Sequence, residues 1–252
     1  MTGLFFLLSH IICLTYYNSF MIGGIVMNEH TKKHFRLKDP GSAITHFIGM
    51  LMAIFAAIPL LVKAAKQPEP IYVVSLSIFI FSMALLYAAS TTYHTFNLSA
   101  KLNKLLKKFD HMMIFVMIAG SYTPMCLIVI KGELGRNLLI TIWAMAIAGI
   151  IFKFFWVTCP KWVSSVIYVM MGWTCVFAFT PLLHSLSRPA FLWLLIGGII
   201  YTAGGVIYAL KLPVFNNRFK YFGSHEIFHL FVMAGSVCHF VVMYQYVTVF
   251  PL

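Results

Sequence analysis

The amino-acid sequence predicts an all-α, polytopic membrane protein built as a seven-transmembrane helix bundle. Three observations carry that expectation. Hydrophobic residues make up 61% of the chain and charged ones 10%, with a mean hydropathy of +0.90, too much apolar surface for one water-soluble core. The apolar residues from Ser42 onward fall into seven runs long enough to cross about 30 Å of hydrocarbon. The basic residues, which give a formal net charge of +12, sit in short clusters between those runs. Membrane loops show that distribution, whereas a nucleic-acid partner would call for one basic face, so none is expected. The five cysteines (Cys13, Cys126, Cys159, Cys175 and Cys238) have no close pair and read as reduced residues rather than a disulfide framework.

In chain order, residues 4 to 27 are apolar but interrupted by His10, Tyr16, Tyr17 and Asn18. Without a preceding Lys or Arg or a small-residue cleavage signal, they do not read as a secretory signal peptide. Met21 and Met27 leave two readings of residues 1–26: a mis-assigned start, or an extra N-terminal hydrophobic helix. Residues 27–41 form a basic preface with Lys32, Lys33, Arg36 and Lys38, closing on Asp39-Pro40-Gly41. Residues 42–250 are the seven-helix domain. Its spans are expected at 42 to about 62, 71 to 93, 109 to 130, 137 to 157, 163 to 183, 190 to 210 and 223 to 249. Lys101, Lys104, Lys107 and Lys108 read as a basic loop, and Lys131, Glu133 and Arg136 as a short turn. Gly197-Gly198 and Gly204-Gly205 mark close helix contact in the sixth span.

Orientation follows from the charges. The preface, the segment from 95 to 108, the end of span four with its loop, and the loop from 211 to 222 hold thirteen Lys and Arg, including Lys153; the alternating loops hold five. Excess positive charge marks the cytoplasmic side, so the start of the seven-helix core is expected inside and the C-terminus outside.

That topology gathers the titratable residues. His94 ends span two, Asp110 begins span three, and His225 and His229 begin span seven, all at the cytoplasmic end. His225 and His229 belong to an H-E-x-x-H pattern and, one helical turn apart, can hold one metal ion between them. With His94 they make three imidazoles, the ligand count of an open catalytic zinc site. Asp110 is a candidate to accept a hydrogen bond from metal-bound water or to orient a ligand ring. Ser90, one turn before His94, is a candidate hydrogen-bond donor at the site. Glu226 reads as base, support for a ligand, or interface residue. His46 reads as support for the ligands or as a hydrogen-bonded interhelical histidine, and His111 as packing or headgroup contact. His239 stands ten residues beyond His229, about 15 Å deeper, where an interhelical hydrogen bond is expected.

Four blocks in order carry a resemblance to a known family. They are Ser42-Ala43-Ile44-Thr45-His46-Phe47-Ile48-Gly49; Ser90 with Tyr93-His94; Asp110-His111 with Ala119-Gly120-Ser121-Tyr122-Thr123-Pro124; and His225-Glu226-Ile227-Phe228-His229 through Gly235-Ser236-Val237-Cys238-His239. Over residues 40–250 the chain resembles the bacterial hemolysin III proteins, which are similar to the progestin and adipoQ receptors and, more distantly, to alkaline ceramidases. The resemblance implies a seven-helix bundle with a zinc ion near the cytoplasmic side, and it maps the family's motif positions onto Ser90, His94, Asp110, His225 and His229. It implies two functions that disagree, cytolysis and amide hydrolysis of a lipid.

The residues favour the second. A pore former would carry amphipathic, polar-lined spans or a secretion signal, and neither is evident in the sequence. Three histidines with Asp110 and Ser90 at a membrane edge suit a zinc-dependent hydrolase acting on a membrane lipid amide. The alternatives are a membrane-lytic factor and a receptor or stress-adaptation protein with structural zinc. An intramembrane metalloprotease fits least, because its third ligand would normally be an acid in a later span.

Overall fold

The computed structural model describes residues 37–210 and 223–252, all helix and connection. The extension at 1–26, most of the basic preface, and the last loop with Lys211, Arg218 and Lys220 lie outside the described residues. Among the described residues, seven helical spans are long and apolar enough to cross a membrane, as the runs predicted.

The first span, α1 (Pro40–Ala64), starts on a proline, whose missing N–H costs nothing in a first turn. Its N-cap residue, Asp39, makes no capping bond; the carboxylate is engaged elsewhere, with consequences for the site. A short connection leads to α2 (Ile71–Thr95). The third span, α3 (Ala100–Pro124), begins nine residues earlier than the apolar run suggests. Ser99 caps it, accepting from Leu102 N at 3.4 Å, so Lys101, Lys104, Lys107 and Lys108 ride on helical turns rather than in a loop. Pro124 ends its regular part, and Met125–Ile130 winds more widely, as a π-helix. Lys131 (φ 52°) and Gly132 (φ 59°) then reverse the chain through the left-handed region directly into α4 (Gly132–Phe155). The expected turn at Lys131, Glu133 and Arg136 is therefore mostly helix.

The fifth span is broken. It runs as α5 (Lys161–Gly172), a tighter 3-10 stretch (Trp173–Ala178), and α6 (Phe179–Ser185). Pro181 supplies the cause: it cannot donate to the preceding turn and crowds its carbonyl. The last two spans are α7 (Arg188–Leu210) and α8 (Ser224–Gln245), the latter followed by a short 3-10 turn.

Helices α1 and α8 run parallel. Thr45 meets His229 near their starts, and Lys63 Nζ donates to Tyr244 O at 2.6 Å near their ends. Helix α2 runs antiparallel to α1: Asp39 N donates to His94 O at 2.9 Å and Lys38 N to Thr95 O at 3.3 Å. Small residues set several of these approaches. A Cβ on Gly204 would sit 2.6 Å from Phe231 Cβ, and one on Gly197 2.4 Å from His239, so α7 and α8 touch through the glycines that marked span six. Cys126, Cys159, Cys175 and Cys238 are free thiols.

Lys153, counted among the charges at the end of span four, is not exposed there. It is fully buried in the last turn of α4, donating to Ser164 Oγ at 2.5 Å and Cys159 Sγ at 3.1 Å.

Candidate metal centre

The site is made where the end of α2 meets the starts of α1 and α8. Each helix brings its histidine for a local reason. On α8, His225 and His229 are four residues apart and so share a face; His94 is in the last turn of α2, buried against them. The three rings each offer a ligand nitrogen, and these nitrogens lie within 4.8 Å of one another. His94 Nε2 and His225 Nε2 are 3.2 Å apart. Two nitrogens bound to one tetrahedral zinc at about 2.0–2.1 Å would sit about 3.3 Å apart.

The surroundings decide which ring nitrogens carry protons. His94 Nδ1 lies 2.9 Å from Asp39 Oδ2, a partner that can only accept, so His94 donates there and its Nε2 presents a lone pair. The same hydrogen bond holds the Asp39 carboxyl below its ordinary range. Thr45 Oγ1 donates to the carbonyls of Gly41 and Ser42, at 2.9 and 3.0 Å, and faces His229 Nδ1 at 3.3 Å. With its proton committed to the backbone, that hydroxyl accepts from His229 Nδ1, and His229 Nε2 is left as a lone pair. His225 Nδ1 has no partner. The donor set thus fits a cation: three ring nitrogens gathered within 4.8 Å, with Asp39 and Thr45 holding the tautomers of His94 and His229.

Asp39 is pinned from both sides of the chain. Its backbone bonds to α2, and the neighbouring Lys38 ammonium sits 3.3 Å from the centroid of the Tyr93 ring and donates to Tyr93 O. The final residues of the preface are therefore part of the centre. Neither Asp39 nor Thr45 stood out in the sequence; the Asp-Pro-Gly helix start and the Thr-His pair were the signals available for them.

Glu226, left open by the sequence, is occupied. Its Oε1 accepts from Ser42 Oγ at 2.7 Å and its Oε2 from Gly223 N at 2.8 Å, which closes the start of α8 and ties it to α1. It serves as cap and helix tie, with both oxygens committed.

Beside the centre a cavity of about 1500 Å³, counting its open mouth, runs among α3, α5, α7 and α8, with mostly apolar walls. His225, His229, Asp110 and His46 line it; Ser90 and His94 do not. Asp110 is buried, with the His111 ring nitrogen 3.3 Å from Oδ2 but off the hydrogen-bond line. His111 is thus beside a carboxylate on the cavity wall, rather than at headgroups. His46 stacks on His229, ring centroids 3.6 Å apart at 12°, and both its nitrogens are without partners, so it supports a ligand by packing and makes no interhelical hydrogen bond. His239 also makes none of the bonds expected of it. Ser90 is fully buried with a partnerless hydroxyl, whereas Ser75 and Ser82 on the same helix bond back to their own carbonyls.

The pattern of the family described as haemolysin-III related matches residues 35–240. This chain belongs to that family. A Bacillus cereus protein named hemolysin-3 is 39% identical over 210 residues, covering 83% of this chain and 92% of its own length. The hemolysin-3 homolog of Bacillus subtilis is 40% identical over 207 residues, 82% and 93% of the two chains. More distantly, the adiponectin receptor protein of Drosophila melanogaster is 23% identical over 231 residues, which is 80% of this chain but 49% of that one. The haemolysin III match and the seven apolar helices together make this a multi-pass membrane protein. The likeness to receptors of the adiponectin type agrees with the resemblance drawn from the motifs.

Proposed function

We propose that this haemolysin III-family protein is a zinc-dependent hydrolase of a membrane lipid amide, with its centre on the cytoplasmic side. The observation that carries the reading is the meeting of three converging imidazoles with a large, mostly apolar cavity whose wall holds one buried carboxylate. His94, His225 and His229 would hold the ion. When bound, zinc supplies a Lewis acid that lowers the pKa of a coordinated water to about 7.

The chain's own residues do the rest. Asp39 and Thr45 keep His94 and His229 in the tautomers that can ligate. Asp110 accepts the proton of the attacking water and returns it to the leaving amine, with His111 beside it to steady the charge. Ser90, one turn before His94 and off the cavity wall, keeps a hydroxyl uncommitted to its own helix, which would serve the oxygen that gains charge once the substrate's head reaches the histidines. The apolar walls take the lipid's chains and exclude water. The cytoplasmic placement rests on the excess of basic residues in the connections at this end.

The test is metal content by mass spectrometry together with hydrolysis of defined lipid amides by detergent-purified protein. Wild type should carry about one zinc per chain, and His94→Ala and His225→Ala should lose it. Asp110→Asn should keep the metal and lose turnover by about 10²–10⁴-fold. Turnover that survives His94→Ala, or wild type purified gently without metal, would sink the reading. The lytic alternative would instead show itself as damage to added target membranes that persists in His225→Ala.

A further inference from the structure

The metal centre uses one end of the cavity; farther along its wall stands a polar group that no other residue satisfies. His239 lies ten residues beyond His229 on α8, about 15 Å farther along the helix. It lines the same cavity, and both of its ring nitrogens are buried without a hydrogen-bond partner. Its position is built. A Cβ on Gly197 of α7 would come within 2.4 Å of His239 Cδ2 and 2.8 Å of Nε2, so glycine is what lets the ring lie against that helix. Tyr201, one turn along α7, meets the ring edge-on with centroids 5.2 Å apart.

The polar groups around this half of the cavity are otherwise committed. Ser121 donates to Ile118 O at 2.7 Å, Trp173 Nε1 to Thr202 Oγ1 at 2.9 Å, and Thr202 to Gly198 O at 2.8 Å. The Tyr201 hydroxyl lies 3.0 Å from Ser236 Oγ. An imidazole carries a donor and an acceptor when neutral, and leaving both unmade in apolar surroundings is costly. His239 is the exception in this half.

We propose that His239 is the recognition residue of a second, polar subsite, and that it takes a hydroxyl or carbonyl carried partway along the chain of a lipid whose head lies at His225 and His229. The proposal deepens the lipid-hydrolase reading and rests on it for the occupant of the cavity. A plain acyl chain would leave both ring nitrogens unpaired, whereas a hydroxyl pairs one of them, as donor to the bare nitrogen or as acceptor from the N–H. The subsite therefore selects chains by the presence of the polar group and by its distance from the head.

The experiment titrates lauric acid and ω-hydroxylauric acid into the purified full-length protein, following intrinsic tryptophan fluorescence, to which Trp173 on the cavity wall contributes. Wild type should prefer the hydroxylated acid roughly tenfold, the worth of one ordinary hydrogen bond. The preference should vanish in His239→Phe, survive in part in His239→Gln, and fall when the hydroxyl is carried on a much shorter or longer chain. Equal affinities in wild type, as a resident water on His239 would produce, overturn the proposal. So does a preference that persists in His239→Phe. Zinc measured in the same samples separates the two readings. Protein without zinc that keeps the preference overturns the hydrolase reading alone; protein with zinc and no preference overturns the subsite alone.

Discussion

Two buried polar clusters lie near the same end of this bundle, and they are built on opposite plans. Around Lys153 the bonds close on themselves: the ammonium donates to Ser164 Oγ and Cys159 Sγ, and those two atoms lie 3.3 Å from each other. Around the three histidines, outer bonds take the Nδ1 protons of His94 and His229 and leave their Nε2 lone pairs free, His94 Nε2 facing His225. The first arrangement is complete without a ligand. The second brings three ring nitrogens together within 4.8 Å, an arrangement that a cation could join. Burial of titratable groups is thus no mark of a functional site by itself; the direction in which their unused valences point is.

The contrast can be broken at several places, with effects of decreasing size. His229→Ala removes one of the converging lone pairs, and zinc should fall from about one per chain to none by mass spectrometry. Asp39→Asn keeps the shape but no longer enforces the His94 tautomer, and zinc affinity measured by competition with a chelator should weaken about 10–100-fold. An affinity equal to wild type would remove Asp39 from the centre. Thr45→Val takes the acceptor from His229 Nδ1, and a loss of roughly tenfold is expected in the same titration. Lys153→Met opens the closed cluster while leaving the Cys159 and Ser164 contact in place. Metal content should be unchanged, with stability lower by about 1 kcal/mol in a denaturant series. If that variant lost its zinc, the two clusters would not be the separate units described here.

The legible parts of the site were those encoded within one helix. The H-E-x-x-H spacing puts His225 and His229 on one face whatever packs against it, and the count of apolar runs puts His94 at the same end. Asp39 was not legible as a partner, because it reaches His94 across 55 residues and belongs to a segment that reads as a solvated preface. Glu226 stayed open in the sequence for a related reason. Its place in a protease-like motif suggested chemistry, but its position in the first turn of α8, next to Ser42 on α1, made it a cap. Lys153 counted among the charges at a span's end, where a lysine normally reaches water, and only the folding of Cys159 and Ser164 over it provides the partners that allow burial.

Membrane residence, seven helical spans and a histidine pair poised for a metal were determined by the sequence alone. They follow from composition and period, local sums that the bilayer reads without reference to any partner. The tertiary structure alone decided which imidazole nitrogens are free, where Asp110 stands, and that one cavity is lined by His225, His229 and His239. Those properties depend on which helix faces approach one another and on the space left between them, and no single helix carries that information.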